Sequence, residues 1–264
     1  MVNVDTVYQR VLALANKEQR GYVTPQEFNL FANMAQLEIF EQYFYDLDQW
    51  RRKPGNDTVY ADRVARLEDK IDIFNDVAGP GVINGTWGVA GFNPTVILIP
   101  SYVHTIERVE YAPDSTTPPH IYVDRINNKD FNEIAATLKR LPLFKPTASS
   151  PVCNVRKNQL RINDGISGIT PGTSTGMVDP ALKNVAVFYI RKPLDVIWGH
   201  VVIKQGGGKA LYNAATTQHF ELHMEEETEL VYKILKLAGS AMKREDLQRG
   251  AAAEEGKLVQ EQKQ

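Results

Sequence analysis

The sequence predicts an α+β fold, with helices at both ends of the chain around a β-rich middle. Three observations carry that reading. Apolar residues recur at spacings of three and four before Ala78 and after Glu225, as on one face of a helix. Between Ala78 and Thr216 lie most of the glycines and prolines, with short β-branched runs between them. The 264 residues are 43% hydrophobic and 23% charged, values that suit a packed core and exclude wholesale disorder.

In the first predicted helix, Val4, Val7, Val11 and Leu14 form a stripe, with Asn3 or Asp5 to cap its start. The second opens on a capping box, Thr24-Pro25-Gln26-Glu27, with proline at the first helical position, where its missing N–H costs nothing. Phe28, Phe31, Met34, Leu37, Phe40, Phe44 and Leu47 follow, and Ile39, Tyr43, Tyr45 and Trp50 widen the stripe. A face that wide exceeds the roughly 100° of an ordinary surface helix. Burial between two layers of one core is the expected reason, and contact with a neighbouring subunit the alternative. A third helix is expected from Asp57–Thr58 through Val64, Leu67, Ile71 and Phe74 to about Val77.

The β-rich region starts with a strand at Thr95–Ile99, which the segment His104–Tyr111 is expected to join. Val152–Arg156 and Leu160–Ile162 read as a hairpin around Lys157-Asn158-Gln159. Val185–Ile190 is continuously apolar, as in a strand covered on both faces. A short helix is expected at Asp130–Leu138, and Ala112–Pro119 and Gly165–Asp179 read as loops. Helix returns after Glu225-Glu226-Glu227, with Leu230, Val231, Ile234, Leu235, Leu237 and Ala238 apolar, Glu229 placed to pair with Lys233, and Gly239 weakening or ending it. Met242, Leu247, Leu258 and Val259 are sparse apolar points in an extended tail that favours helix by propensity but has little to bury on its own chain. The expected organisation is therefore 1–78 N-terminal helices, 79–217 β-rich region, 218–242 C-terminal helix packing on the N-terminal helices, and 243–264 a tail reaching a partner.

The formal charge of −2, from 30 basic and 32 acidic residues, gives no overall footprint for nucleic acid, though it leaves room for a local basic patch. Cys153 is the sole cysteine, so no intramolecular disulfide forms, which suits a reducing cytoplasm. No apolar run reaches the roughly 18 residues a membrane span needs, and Met1–Asn16 lacks a signal-peptide pattern.

Catalytic motifs fail on inspection. Gly206-Gly207-Gly208-Lys209 has Ile203 and Ala210 where a phosphate-binding loop needs glycine and Ser or Thr. His219 and His223 lack the glutamate of a zinc-protease helix, since Phe220 follows His219. Cys153 has no histidine beside it and reads as a small buried hydrophobe. Arg51-Arg52-Lys53 suits the C-terminal end of a helix dipole. The expectation is no catalytic, cofactor-binding or metal-binding residue, and no enzyme.

The run Leu14–Asn29, Leu-Ala-Asn-Lys-Glu-Gln-Arg-Gly-Tyr-Val-Thr-Pro-Gln-Glu-Phe-Asn, resembles the opening of a structural protein of short-tailed bacteriophages, including crAss-like phages. Three further blocks carry the likeness: Val123–Ile126 with Asn128-Lys129, Phe188–Pro193 leading to Trp198-Gly199, and Phe220–His223 leading to Ile234–Gly239. The resemblance implies a head-to-tail connector or tail-ring subunit, similar in layout to the tail tubular (adaptor) proteins. Such a protein forms a ring, commonly of twelve copies, beneath the portal protein, contacts other tail proteins, and leaves a lumen through which DNA passes without sequence-specific binding. It implies a place in the neck or tail of the virion, assembled in the host cytoplasm, with no membrane partner. Expected partner contacts are Leu247, Leu258 and Val259 in the tail, Pro118, Pro119, Ile166 and Ile169 in the loops, and Trp50 at the end of the long helix. The alternatives are a tail-ring or neck protein further from the portal, a tail-associated hydrolase, or a nucleic-acid-binding regulator.

Overall fold

The fold is α+β. A computed structural model describes residues 1–15, 23–52, 58–79, 89–90, 96–112, 121–136, 146–147, 149–164, 169–170, 173–174, 184–202, 210–241, 250–257 and 260. Along the chain come α1 (Val4–Ala15), α2 (Pro25–Arg52), α3 (Thr58–Asp72), β1 (Asn75–Ala78), β2 (Val89–Ala90), β3 (Val96–Leu98), β4 (Val103–Ala112), β5 (Ile121–Tyr122) and β6 (Asp124–Arg125). Then follow α4 (Asn128–Ala136), β7 (Val152–Arg156), β8 (Gln159–Asn163), β9 (Ile169–Thr170), β10 (Thr173–Ser174), β11 (Asn184–Arg191), β12 (His200–Val202), β13 (Ala210–Tyr212) and α5 (Glu227–Ala241). They form two units, one of residues 1–73 with 193–264 and one of residues 74–192.

In the helical unit each helix starts where its capping chemistry places it. Asn3 Oδ1 accepts from the Asp5 amide at 2.9 Å and opens α1. The capping box forms as read: Glu27 N donates to Thr24 Oγ1 at 3.3 Å, and Thr24 N donates to Glu27 Oε2 at 3.0 Å. Helix α1 buries Val4, Val7, Tyr8, Val11 and Ala15; Leu14, expected inside, is exposed, because the buried face turns through Tyr8 and Ala15 instead. Helix α5 packs on α1 and α2, and α3 packs on α2. Leu230, Val231, Ile234, Leu235 and Ala238 are its buried face, and it runs past Gly239 to Ala241. That glycine does not end it, since tertiary packing outweighs about 1 kcal/mol of propensity.

The predicted third helix is shorter than expected. It stops at Asp72, and Val77 lies in β1 opposite Phe188 of β11. Residues 193–217, expected in the β-rich region, belong to the helical unit. Side chains of α2 sew them in place. Asn33 Oδ1 accepts from Val196 N at 2.6 Å, its Nδ2 donates to Val196 O at 3.1 Å, and Gln36 Nε2 donates to Leu194 O at 2.8 Å. Trp198 N donates to Asn29 Oδ1 at 2.8 Å, and its indole N–H donates to Asp5 Oδ1 at 2.9 Å.

In the β unit, one sheet has the order β1-β11-β4-β5 and the other β2-β3-β8-β7-β6. All pairings are antiparallel except β6 with β7. Strand β11 is central, and Val185, Ala186, Val187, Tyr189 and Ile190 are buried, as its unbroken apolar run predicts. Strand β4 joins β11 and β5 rather than β3, which pairs with β2 and β8. Both sheets feed one core, with Val109, Tyr111, Val185 and Val187 from the first and Ile97, Cys153, Leu160 and Ile162 from the second. Within it, Tyr111 Oη donates to Asp164 Oδ2 at 2.6 Å. The β7–β8 hairpin forms, with Gln159 already in β8 and a two-residue turn at Lys157–Asn158. Helix α4 begins two residues before the predicted start, and the predicted end at Leu138 lies outside the described residues.

Candidate partner surfaces and a basic cleft

Only one side of α2 faces the core. Phe28, Ala32, Ala35, Gln36, Ile39, Phe40, Tyr43 and Leu47 are buried, while Leu30, Met34 and Leu37, spaced four and three apart on another face, are exposed along with Tyr45. Burial between two layers, the expected reason for the wide stripe, therefore does not extend to the face that carries Leu30, Met34 and Leu37.

A second apolar surface lies on the β12–β13 ribbon. Val201, Val202 and Leu211 are each about half exposed, at 52%, 51% and 52%. Val201 and Val202 are consecutive, so they point to opposite faces, and the ribbon is apolar on both. Its base is fixed: Trp198 stacks on His200 at 5.7 Å between ring centroids and meets Tyr212 at 5.9 Å. No third strand joins it among the described residues. A two-stranded ribbon gains little stability alone in water, so one with bare apolar faces is suited to cover by a partner.

The predicted contact residues are only partly placed. Leu247, Leu258, Val259, Pro118, Pro119 and Ile166 lie outside the described residues, as does Gly206–Lys209. Ile169 is in β9, opposite Ser174 of β10. Trp50 is half-buried, and the guanidinium of Arg63 on α3 stands 4.9 Å over its ring, so it packs on its own chain. Arg51 pairs with Glu68 of α3 at 3.0 Å. The tail differs from expectation in its burial. Residues 250–257 are helical, Ala251 and Glu255 are buried, and Glu255 reaches Lys233 and Lys236 of α5 at 3.0 and 2.9 Å. A polar tail finds burial on its own chain here because α5 presents two lysines to receive a carboxylate.

The histidines serve the fold. Val4 N donates to His219 Nδ1 at 3.4 Å, and His223 Nδ1 accepts from Glu225 N at 3.4 Å, capping a 3₁₀ turn at Met224–Glu226.

The feature the sequence reading missed is in the β unit. Two adjoining clefts, of about 470 and 460 Å³, flank the β7–β8 turn and share Lys157 and Asn158. Arg125, Lys192 and His104 line the first, Arg156 and Arg161 the second, and among the described residues no carboxylate lines either. The turn is anchored, since Ile99 N donates to Asn158 O at 2.8 Å. Lys157 sits at φ 53°, in the left-handed region where glycine or asparagine is cheaper. Arg125, Arg156, Lys157 and Lys192 are exposed, and none of them forms an ion pair with a described residue. The signal was local: between Val152 and Ile162 the chain has three cations and no acid, a bias that the balanced total of charges hides.

No family model matches this chain, and no curated protein matches its sequence.

Proposed function

We propose that this chain is a virion structural protein, a subunit of a head-to-tail connector ring that joins a portal protein to the tail and leaves a passage for DNA. The observation that carries the reading is the β12–β13 ribbon, whose Val201, Val202 and Leu211 stand half exposed on a rigid aromatic base. The exposed row Leu30, Met34 and Leu37 on α2 adds a second surface. A ring needs two different surfaces per subunit, because a heterologous contact repeats around an axis until it closes. The likeness of the Leu14–Asn29 run to short-tailed phage structural proteins points the same way.

The test is negative-stain microscopy of the purified protein, alone and mixed with the portal protein encoded nearby. Rings, alone or stacked on the portal, are expected, and Val201→Glu with Leu211→Glu should abolish them while leaving a folded monomer. A chain that ignores the portal and forms no ring overturns the connector reading.

A further inference from the structure

We propose that the twin cleft at the β7–β8 turn binds the phosphodiester backbone of duplex nucleic acid. Around one anchored turn the fold gathers Arg125, Arg156, Lys157, Arg161 and Lys192, and no carboxylate among the described residues enters either lining. Like charges brought together with no counter-charge repel, so such a cluster costs the fold stability unless an anion neutralises it. The remaining polar lining, Ser101, Thr105, Asn158 and Gln159, offers the hydroxyl and amide donors that contact phosphate oxygens.

Three features select the ligand. The cations run along two adjoining clefts rather than converging in one closed pocket, which suits a polymer of phosphates better than a single small anion. Among the described residues the one aromatic ring that lines either cleft is the imidazole of His104, so there is no row of Phe, Tyr or Trp on which successive unpaired bases can stack. That leaves the duplex backbone, read for charge and without sequence preference. Lys157 is the sharpest element: a lysine is held in left-handed backbone at the tip, where asparagine would be less strained.

Purpose alone rests on the connector reading, since a DNA conduit has reason to touch the backbone. The binding itself is measured on the full chain and does not depend on ring formation. The probe is a fluorescent mixed-sequence duplex of about two helical turns, titrated by anisotropy from 50 to 200 mM salt. Binding is expected with a Kd of about 10⁻⁴ to 10⁻⁶ M. Lys157→Asn, Arg156→Gln and Arg125→Gln should each weaken it about five- to tenfold near 0.1 M salt and flatten the log–log salt slope by about 0.9. Lys157→Asn should do so without lowering Tm, because asparagine accepts the same backbone. A duplex that does not bind at 50 mM salt overturns the proposal, as do variants that bind like the parent. So does tighter binding of the single strand, which would mean stacking, or of poly-glutamate at equal charge, which would mean an acidic protein surface.

Discussion

Lys233 Nζ donates to Glu255 Oε1 across 3.0 Å, joining the helix at residues 250–257 to α5 through a lysine that is almost wholly buried. Glu38 at 2.9 Å and Glu229 at 3.6 Å complete its surroundings. One cation thus faces three carboxylates, and Lys236 neutralises part of the excess by holding Glu255 at 2.9 Å. Removing the cation should cost far more than removing one acid. Lys233→Met is expected to destabilise by about 3–5 kcal/mol, because Glu229 stays buried beside it. Glu255→Gln should cost about 1–2 kcal/mol, since the amide still accepts a hydrogen bond. Urea unfolding at pH 7 separates the two, and equal costs would contradict the hub.

The same contact sets a pH dependence. Burial alone would raise the Glu255 pKa, but hydrogen bonds from Lys236 and Lys233 overcome it and hold the carboxyl below its ordinary 4.5. A depressed carboxylate contributes stability that is present above 4.5 and lost as pH falls through the lower folded value. The stability difference between the parent and Glu255→Gln should therefore shrink between pH 5 and pH 3. Burial likewise works against the charge on Lys233, and its bonds to Glu38 and Glu255 outweigh that, raising its pKa above 10.5. Its contribution is whole at neutral pH and fades only as pH rises through that raised value. A difference that is flat in acid would remove Glu255 from the linkage.

Asn33 on α2 replaces a missing strand partner for Val196, donating to its carbonyl at 3.1 Å and accepting from its amide at 2.6 Å. Val196 is fully buried, and Asn33 is the one partner that the described residues give these two groups, so both lose it if the side chain goes. Asn33→Ala should cost about 2–4 kcal/mol, the sum for two unsatisfied buried groups. Native-state hydrogen exchange at the Val196 amide should accelerate more than that of the α5 core. Unchanged exchange there would mean the segment is held by its apolar contacts alone.

Helix starts and the central strand were legible because they rest on short-range rules: Thr24 to Glu27 spans one turn, and Val185–Ile190 is unbroken apolar chain. Strand partnership was not legible. Nothing in His104–Tyr111 distinguishes Val187 from Ile97 as a neighbour, since both are β-branched and buried. The return of 193–217 to the helical unit depends on Asn29, Asn33 and Gln36, polar residues on an apolar helix whose partners lie more than 150 positions away. The basic cleft was partly visible in Arg156, Lys157 and Arg161, but Arg125 and Lys192 join it only through the fold.

Gly199 is a glycine because of space. A Cβ there would run into Thr216 Oγ1 and meet the Asn213 carbonyl oxygen at 2.7 Å. Gly199→Ala should destabilise by about 1–3 kcal/mol through overpacking and shift the emission of the neighbouring Trp198. Adding Thr216→Ala should restore only part of the loss, because the Asn213 carbonyl is backbone. Full restoration would place the whole clash on the threonine.

Cys153 lies in β7 opposite Ile162, inside the core shared by both sheets. Burial is the main cause that pushes its thiol up to about 11, with Arg125 pulling it down and Asp124 adding to the rise. The thiolate is the nucleophile, so moving the pKa from 9.0 to about 11 cuts the reactive fraction at neutral pH about 100-fold before any steric shielding. Alkylation by iodoacetamide at pH 7.5 should therefore be slower than for a model thiol by more than that factor. In urea it should rise to the model rate, in step with loss of β-sheet signal. Cys153→Ala should cost about 1 kcal/mol, as a small core truncation does. Rapid native labelling without loss of sheet signal would show that the β7–β8 hairpin opens on its own, and would weaken the case for an anchored turn at Lys157.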